Sequence, residues 1–245
     1  MNKHIEQNGP QGQTMKVIAR IHTDFPTKFG IPHQSSRIAE LKSQIVFEPE
    51  YRIPEAVRGL EEFTHLWLIW EFSQSVREKW SPTVRPPKLG GNIRKGVFAT
   101  RSPFRPNPLG LSSVRLERIE MDKERGPVLH ITGADLMDGT PIYDIKPYLP
   151  YVDSHPDASG GFTDQISYEK LEVIFPDEWL EQIPESSREA LIQVLAADPR
   201  PGYQKDADRI YGLAFQDKDI HFRVKGRVLT VCGISDYRKE REKRV

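Results

Sequence analysis

The alternation of apolar and polar residues along the chain is typical of short strands. Residues 16–21 alternate and predict a first strand, and residues 44–48 predict a second. Residues 65–72 form a continuous apolar run with two Trp, which predicts a strand buried on both faces. A short helix is predicted at residues 53–60, where Pro precedes Gly, and further strands are predicted at residues 96–100, 113–120 and 128–134.

These short strands, without long helices between them, predict a mainly β fold whose core is a small, non-Rossmann β-barrel. The character changes after Ser154, where residues 155–161 have the composition of a linker. A strand, a helix at residues 185–196 and two closing strands then predict a small α+β appendage. We therefore predict a mobile tail over 1–14, a barrel core over 15–154 and a C-terminal domain over 155–245.

Composition and charge fit a folded protein with one basic surface. Hydrophobic residues make up 37% and charged residues 29% of the chain, and the formal net charge is +0. Residues 77–105 nevertheless hold eight Lys or Arg and one acid, Glu78. A basic segment in a neutral protein indicates a local anion-binding surface, and a solvated loop that is merely basic is the alternative.

Cysteine usage and hydropathy indicate a cytoplasmic protein. Cys232 is the one cysteine, so no intrachain disulfide is possible and a reducing compartment is expected. The first residues lack the apolar centre of a signal peptide. The apolar run that begins at His65 is too short to span a bilayer, so we expect no membrane association.

Several common catalytic motifs are absent from the sequence. There is no P-loop, no glycine fingerprint of a Rossmann domain and no G-x-S-x-G nucleophile motif. The seven His show no metal-ligand spacing, so we expect no metal.

Residues 96–112 carry the first candidate chemistry. Arg101 and Arg105 lie in a loop stiffened by Pro103, Pro106 and Pro108, and guanidinium groups held in this way bind carboxylates or phosphates with little ordering cost. Asn107, between two prolines, offers an amide to a base edge. A rigid structural loop with solvated arginines is the alternative.

A second candidate segment is Asp138-Gly139-Thr140-Pro141, which has the composition of a tight turn. Asp138 and Asp144 flank it, and Tyr143 and Tyr148 offer faces for stacking on a base. A plain hairpin turn is an equally good interpretation.

The stretches GVFATRSPFRPNPLGLS, VRGLEEFTHLWLIW, RPPKLGGN and DGTPIYDIKPYLPYVDS occur in this order. Together they closely resemble the TsaA-like family, known as tRNA methyltransferase O. The resemblance runs from about Val17 to Ser154, and AADPRPGY near residue 200 extends it into the C-terminal domain.

The resemblance implies a dimeric β-barrel methyltransferase that binds S-adenosylmethionine near the dimer interface. The implied substrate is tRNA, at N6 of threonylcarbamoyladenosine beside the anticodon of a threonine tRNA. Thr23-Asp24 departs from the Ser-Pro pair that is usual in the family. The cofactor site is expected at Thr23, Asp24, Phe25, Thr64, His65, Arg101, Leu111, Asp138, Gly139, Thr140 and Pro141.

Catalysis at an adenine amine needs an acceptor for its N–H, and Asn107, Asp138 and Asp144 are the candidates, among which the sequence does not choose.

The candidate RNA-binding residues are basic or aromatic, and we expect Arg200 and Tyr203, in a turn with two prolines, to reach the transfer site. A turn that packs only on its own core is the alternative there. The expected RNA contacts are Arg94, Lys95, Arg105, Lys146, Arg200 and Tyr203.

Two other functions remain possible from the sequence: a tRNA-binding barrel without catalysis, and an S-adenosylmethionine-binding regulatory protein.

Overall fold

The computed structural model describes residues 14–32, 34–86, 89, 92–166, 169–200 and 206–237. Most of these residues lie in strands and turns. The strands are, in chain order, β1 (Ala19–His22), β2 (Lys42–Phe47), β3 (His65–Glu71), β4 (Thr83–Val84), β5 (Lys95–Gly96), β6 (Leu109–Asp122), β7 (Gly126–Thr132), β8 (Pro141–Pro147), β9 (Glu172–Ile174), β10 (Tyr211–Phe215), β11 (Lys218–Lys225) and β12 (Val228–Asp236).

Six strands close into an antiparallel barrel in the order β1-β2-β7-β6-β3-β8. Inward-facing side chains such as Ile21, Ile45, Leu66 and Leu129 are fully buried and form its core. Closure pairs every barrel strand on both sides, so that no strand edge of the barrel is open to another chain. The predicted β-barrel is confirmed.

The burial of β3 differs from the prediction that residues 65–72 are buried on both faces. Leu66, Leu68 and Trp70 point inward and are at most 5% exposed, whereas Trp67 and Ile69 are only partly buried. An antiparallel barrel buries one face of each strand. The outward Trp67 is instead covered by Tyr148 and donates its indole N–H to Asp153 over 3.0 Å.

Three other predicted elements change in detail. The first strand begins at Ala19 and not at residue 16, and the helix predicted over residues 53–60 consists of two short 3₁₀ helices, Pro54–Val57 and Leu60–Glu62. Residues 96–100 do not form a strand, because β5 ends at Gly96 and a 3₁₀ helix, Val97–Ala99, follows. Apolar alternation over four or five residues does not distinguish these conformations.

The C-terminal part contains a four-stranded sheet in the order β10-β11-β12-β9, with β9 parallel to β12. Two helices accompany it, α2 (Asp177–Leu180) and α3 (Glu185–Ala196), while α1 (Pro150–Asp153) follows the barrel. The bounds of α3 match the predicted helix, because Pro184 precedes its first turn and Ala190, Leu191, Val194 and Leu195 form one buried face.

The connection between β1 and β2, residues 23–41, packs with the C-terminal sheet although it belongs to the barrel in sequence. Phe25, Ile38 and Leu41 are at most 5% exposed and share a core with α3 and with β10 to β12. The rings of Phe25 and Phe215 meet edge to face, with their centroids 5.7 Å apart. A division of the chain at residue 155 therefore stays a prediction.

Among the described residues, no helix combines the length and the hydropathy that a membrane crossing requires.

Candidate active site

The loop that contains Pro103, Pro106 and Pro108 is called the proline-rich loop. A cleft of about 840 Å³ opens where this loop, the end of β3 and the start of β6 meet the β1–β2 connection. This volume lies in the range of about 300–1,000 Å³ that is typical of small-molecule sites. Its walls combine aromatic rings with both signs of charge. The residues that line the cleft include Lys28, Gln34, Trp67, Trp70, Glu71, Phe98, Arg101, Arg105, Asn107, Leu109, Leu111, Asp135 and Thr140.

The proline-rich loop places its two arginines at this cleft. Arg101 donates a short hydrogen bond to the side-chain oxygen of Gln34 in the β1–β2 connection. Arg105 donates to the backbone carbonyl of Thr100 over 3.1 Å, which fixes its guanidinium against its own loop. Asn107 also lines the cleft and is exposed. Hydrogen bonds thus hold both arginines of this loop in place before any ligand binds.

The predicted turn at Asp138-Gly139-Thr140-Pro141 closes the same region of the barrel. Gly139 has φ +75°, and its N–H donates to the carbonyl of Ile21 over 2.8 Å. Asp138 accepts the N–H of Thr23 over 3.1 Å, and the Thr140 hydroxyl donates to the carbonyl of Met137 over 2.7 Å. Thr140 and Arg101 therefore line one cleft, although 39 positions separate them in the sequence.

Asp24 and Phe25 do not contact the cleft, contrary to expectation. Phe25 is 1% exposed and lies in the core of the C-terminal sheet. The Asp24 carboxylate accepts the side-chain N–H of Gln216 over 3.0 Å, and burial raises its pKa above the usual value, opposed by that hydrogen bond. Asp24 and Phe25 thus connect the barrel part of the chain to the C-terminal sheet. The sequence does not show this, because an aromatic side chain that follows a strand can pack into a core as readily as against a ligand.

Thr64, His65, Asp144 and Lys146 also lie outside the cleft lining. The Thr64 hydroxyl contacts Nδ1 of His65 at 3.0 Å at the start of β3, whereas the cleft includes Glu71 at its end. Asp144 pairs with Lys146 at 3.0 Å on β8. Sequence spacing alone does not reveal which end of a barrel strand a site occupies.

A chain of hydrogen bonds that the sequence analysis missed runs along the cleft wall. The indole N–H of Trp70 donates to the hydroxyl of Ser112 over 3.0 Å, and that hydroxyl lies 2.6 Å from the Asp135 carboxylate. Burial raises the pKa of Asp135, while the Ser112 hydrogen bond and the Arg101 charge oppose the rise. An acidic residue between the apolar Ala134 and Leu136 was the available sequence signal.

Glu71 is the second carboxylate of the cleft that sequence reasoning missed. It accepts the phenolic O–H of Tyr143 over 2.7 Å. Burial, together with this bond and the Glu71 charge, raises the pKa of Tyr143 to about 12. The phenol therefore stays protonated at neutral pH and keeps Glu71 in position as an acceptor.

The candidate RNA-binding residues that the structure describes lie in different parts of the fold. Arg94 and Lys95 lie at the β4–β5 hairpin, where Arg94 donates to the Thr83 hydroxyl over 2.8 Å. Arg200 instead binds both carboxylate oxygens of Asp198, over 2.8 and 2.9 Å, and its side chain is only 12% exposed. The expectation that Arg200 reaches the transfer site is therefore not supported, and Tyr203 lies outside the described residues.

Among the residues that the structure describes, no group of three or more His, Cys, Asp or Glu is arranged to hold a metal ion. The residues that line the cleft supply carboxylates, guanidinium groups, an amide and aromatic rings.

The comparisons with known proteins agree with this geometry. Residues 20–154 match the tRNA-methyltransferase O N-terminal domain, and residues 168–237 match the TrmO C-terminal domain. The chain is 39% identical over 215 residues to the tRNA (adenine(37)-N6)-methyltransferase of Escherichia coli (strain K12), covering 84% of this chain and 91% of that protein. It is 50% identical over 169 residues to the enzyme of the same name from Eikenella corrodens, covering 68% of this chain and 94% of that protein.

The fold comparison gives the same result. The crystal structure of TrmO from Pseudomonas aeruginosa superposes with a TM-score of 0.74 at 31% sequence identity. The superposition covers 92% of this chain and 99% of the TrmO chain. This chain belongs to the tRNA-methyltransferase O family.

Proposed function

We propose that this protein transfers the methyl group of S-adenosylmethionine to N6 of adenosine 37 in a tRNA. The observation that carries the proposal is the cleft itself, where the arginines of the proline-rich loop meet the Thr140 turn on a barrel of this family. The specific substrate that we infer is the threonylcarbamoyl form of this adenosine in a threonine tRNA. The tRNA substrate indicates a cytoplasmic enzyme.

The residues of the cleft fit this cofactor chemically. Its α-carboxylate suits Arg101, because guanidinium groups bind carboxylates through paired N–H donors. Its adenine suits an aromatic wall, and Leu111 adds apolar surface. We propose that Arg101, Leu111 and Thr140 contact the cofactor, while Thr23, Asp138, Gly139 and Pro141 hold the Thr140 turn in place.

S-adenosylmethionine supplies a methyl group that its sulfonium already activates. The protein's own contribution is alignment of the amine with that methyl, together with exclusion of water. N6 of threonylcarbamoyladenosine is a poor nucleophile because its lone pair is delocalised into the adenine ring and into the carbamoyl carbonyl. Of the three acceptors expected from the sequence, Asn107 lines the cleft, so we propose that its amide oxygen accepts an N–H of the base.

We propose that Arg94, Lys95 and Arg105 contact the tRNA backbone. Arg105 lines the cleft, and Arg94 and Lys95 lie at the β4–β5 hairpin within the same basic segment. Cations at such positions bind phosphates and displace counterions. Lys146, exposed on β8 beside Asp144, is a weaker candidate because its charge is already partly compensated.

We further propose a homodimer with the cleft near its interface. Phe98 is 73% exposed, Leu111 is 57% exposed, and both line the cleft. Trp80, itself 50% exposed, packs against Phe98 with ring centroids 6.1 Å apart. Clustered exposed apolar groups of this size typically mark protein contacts. Sedimentation of the full chain, with Phe98→Ser and Trp80→Ser as variants, tests this.

The test of the proposed function is transfer of labelled methyl from S-adenosylmethionine to tRNA. Two tRNA pools are compared, one that carries and one that lacks the threonylcarbamoyl group, and the product nucleoside is identified by mass spectrometry. Label at N6 of adenosine 37 in the modified pool is expected. Cofactor binding without transfer supports a regulatory protein instead, and tRNA binding without cofactor binding supports a non-catalytic barrel.

A further inference from the structure

Asp135 is a carboxylate that a chain of buried groups orients towards the cleft. It follows β7, and its neighbours Ala134 and Leu136 are 3% and 1% exposed. Because those neighbours are anchored in the barrel core, the backbone at Asp135 is fixed. The residue itself is only partly buried and lines the cleft.

The direction of the hydrogen bonds is set by the chemistry of the donors. An indole N–H can only donate, so the Ser112 oxygen accepts from Trp70. The single hydroxyl proton of Ser112 is then directed to Asp135, which must accept it over 2.6 Å. Ser112 is 1% exposed and Trp70 is 5% exposed, so both groups are shielded from bulk water. One carboxylate oxygen is thus fixed as an acceptor. The backbone N–H groups of Asp135 and Ser35 also bond to this carboxylate and hold it at the cleft.

Burial makes the Asp135 carboxylate more basic than an exposed aspartate. Burial raises its pKa, and Ser112 and Arg101 oppose that rise. The other charged groups that line the cleft are Lys28, Arg105 and Glu71, of which Glu71 accepts from Tyr143. A carboxylate in this setting takes up a proton more readily than an exposed aspartate, which suits it to act as a proton acceptor.

We propose that Asp135 is the proton acceptor for N6 of adenosine 37 in methyl transfer; this inference rests on the proposed function. The N6 lone pair forms the bond to the methyl carbon, and the carbon–sulfur bond breaks with its electron pair staying on sulfur. The N6 proton moves to the carboxylate of Asp135. A sulfonium and a carboxylate thereby become a neutral thioether and a carboxylic acid, so that charge and atoms balance.

Asn107 and Asp135 act in turn on the single hydrogen that N6 of threonylcarbamoyladenosine carries: Asn107 orients this N–H, and Asp135 takes its proton during transfer. An amide oxygen orients an N–H but does not take its proton at neutral pH. Ser112 is a positioning residue, because it acts on the reaction through Asp135 alone.

Asp135→Asn is the principal test, because the amide oxygen still accepts from Ser112 while its basicity is lost. Single-turnover methylation at saturating cofactor is expected to fall by about 100-fold or more, the usual scale of general-base catalysis. In the wild type the rate should rise with pH through the pKa of Asp135, and this acidic limb should be absent from the variant. Asp157→Asn, an exposed aspartate outside the cleft, is the control for loss of one negative charge.

A second measurement needs neither cofactor nor tRNA. In the free protein, the indole N–H resonance of Trp70 is expected to shift with pH as Asp135 ionises, and the shift should vanish in Asp135→Asn. Ser112→Ala removes a bond that lowers the pKa of Asp135, so the acidic limb of the rate should move to higher pH. Ser43→Ala, a buried serine of β2, is the matched control for folding.

The outcomes separate this inference from the function on which it rests. Absence of methyl transfer by the wild type overturns the proposed function. Transfer by the wild type with an unchanged rate and pH profile in Asp135→Asn overturns the role of Asp135 alone. Weakened cofactor binding with full turnover at saturating cofactor also overturns it, and makes Asp135 a cofactor ligand.

Discussion

Phe25 and Phe215 pack edge to face with their ring centroids 5.7 Å apart, although 190 residues separate them in the chain. Phe25 lies near the start of the β1–β2 connection, and Phe215 ends β10 of the C-terminal sheet. The same connection contributes Lys28, Ile31 and Gln34 to the cleft. The C-terminal sheet therefore supports one wall of the candidate active site from behind.

Gly30→Ala tests this support. Gly30 has φ +86°, and a Cβ atom there would lie 2.0 Å from Cδ1 of Leu213 in β10. Beyond the backbone strain, we expect about 1–3 kcal/mol of destabilisation from overpacking. Cofactor affinity, measured by calorimetry, should fall because the connection shifts.

Gly59→Ala is the matched control for that variant. Its φ of +84° gives the same backbone strain, but nothing lies within 4 Å of the added Cβ. Equal melting temperatures and equal cofactor affinities for the two variants would show that the C-terminal sheet does not position the cleft.

Gly110→Ala should damage the cleft from its other side. A Cβ atom at Gly110 would lie 2.2 Å from the ring of Trp70, which its hydrogen bond to Ser112 holds in place. We expect a lower melting temperature and reduced methylation. Gly233→Ala in β12, whose nearest neighbour would be 4.0 Å away, should change neither.

Arg101→Gln should weaken cofactor binding. Hydrogen bonds to charged groups contribute about 1.5–3 kcal/mol, so we expect a rise in Kd of roughly 10- to 150-fold. Arg58→Gln removes an exposed arginine that pairs with Glu55 away from the cleft, and its Kd should match the wild type. A normal Kd for Arg101→Gln would remove Arg101 from the cofactor site.

Arg105→Ala should weaken tRNA binding and lower the salt dependence of its affinity by about one counterion. The same change at Arg94 or Lys95 should have the same effect. Arg200→Ala should leave the salt dependence unchanged, because Arg200 is paired with Asp198. The measurement is tRNA affinity at a series of salt concentrations, from which the slope of log affinity against log salt is obtained for each variant. A reduced slope for Arg200→Ala would show that Arg200 does contact the RNA.

Asp122 should make stability depend on pH through the β6–β7 turn. Its carboxylate accepts the N–H groups of Glu124 and Arg125 over 2.9 and 2.8 Å, and these bonds lower its pKa to about 2. The folded pKa lies below the unfolded value of about 3.9, so the stabilisation is complete above that pH and is lost as pH falls through about 2. Asp122→Ala should therefore lower the melting temperature at pH 7, and the difference should narrow in strong acid.

The sequence predicted the parts of this protein that depend on local pattern. The barrel follows from short alternating strands, and α3 follows from its apolar face after Pro184. The proline-rich loop and the Thr140 turn were also found, because proline and glycine restrict the backbone in ways that a sequence displays.

The parts that were missed depend on tertiary contacts. Phe25 was assigned to the cofactor because nothing local shows that its ring is buried against Phe215. Asp135 was passed over because its role depends on Ser112, 23 residues earlier, and on Trp70 in another strand. Strand register across a closed barrel brings these groups together, and no periodicity encodes it.

The packing of Phe25, Ile38 and Leu41 with the C-terminal sheet also restricts how this chain could be recombined with a related one. A chimera joined at residue 155 would combine one protein's Phe25 and Gly30 with another protein's Leu213 and Phe215. In such a hybrid, core side chains from two different proteins would have to pack together directly behind the cleft. A functional chimera must therefore take the β1–β2 connection and the C-terminal sheet from the same protein. These two segments form one packed unit, although they are far apart in the gene.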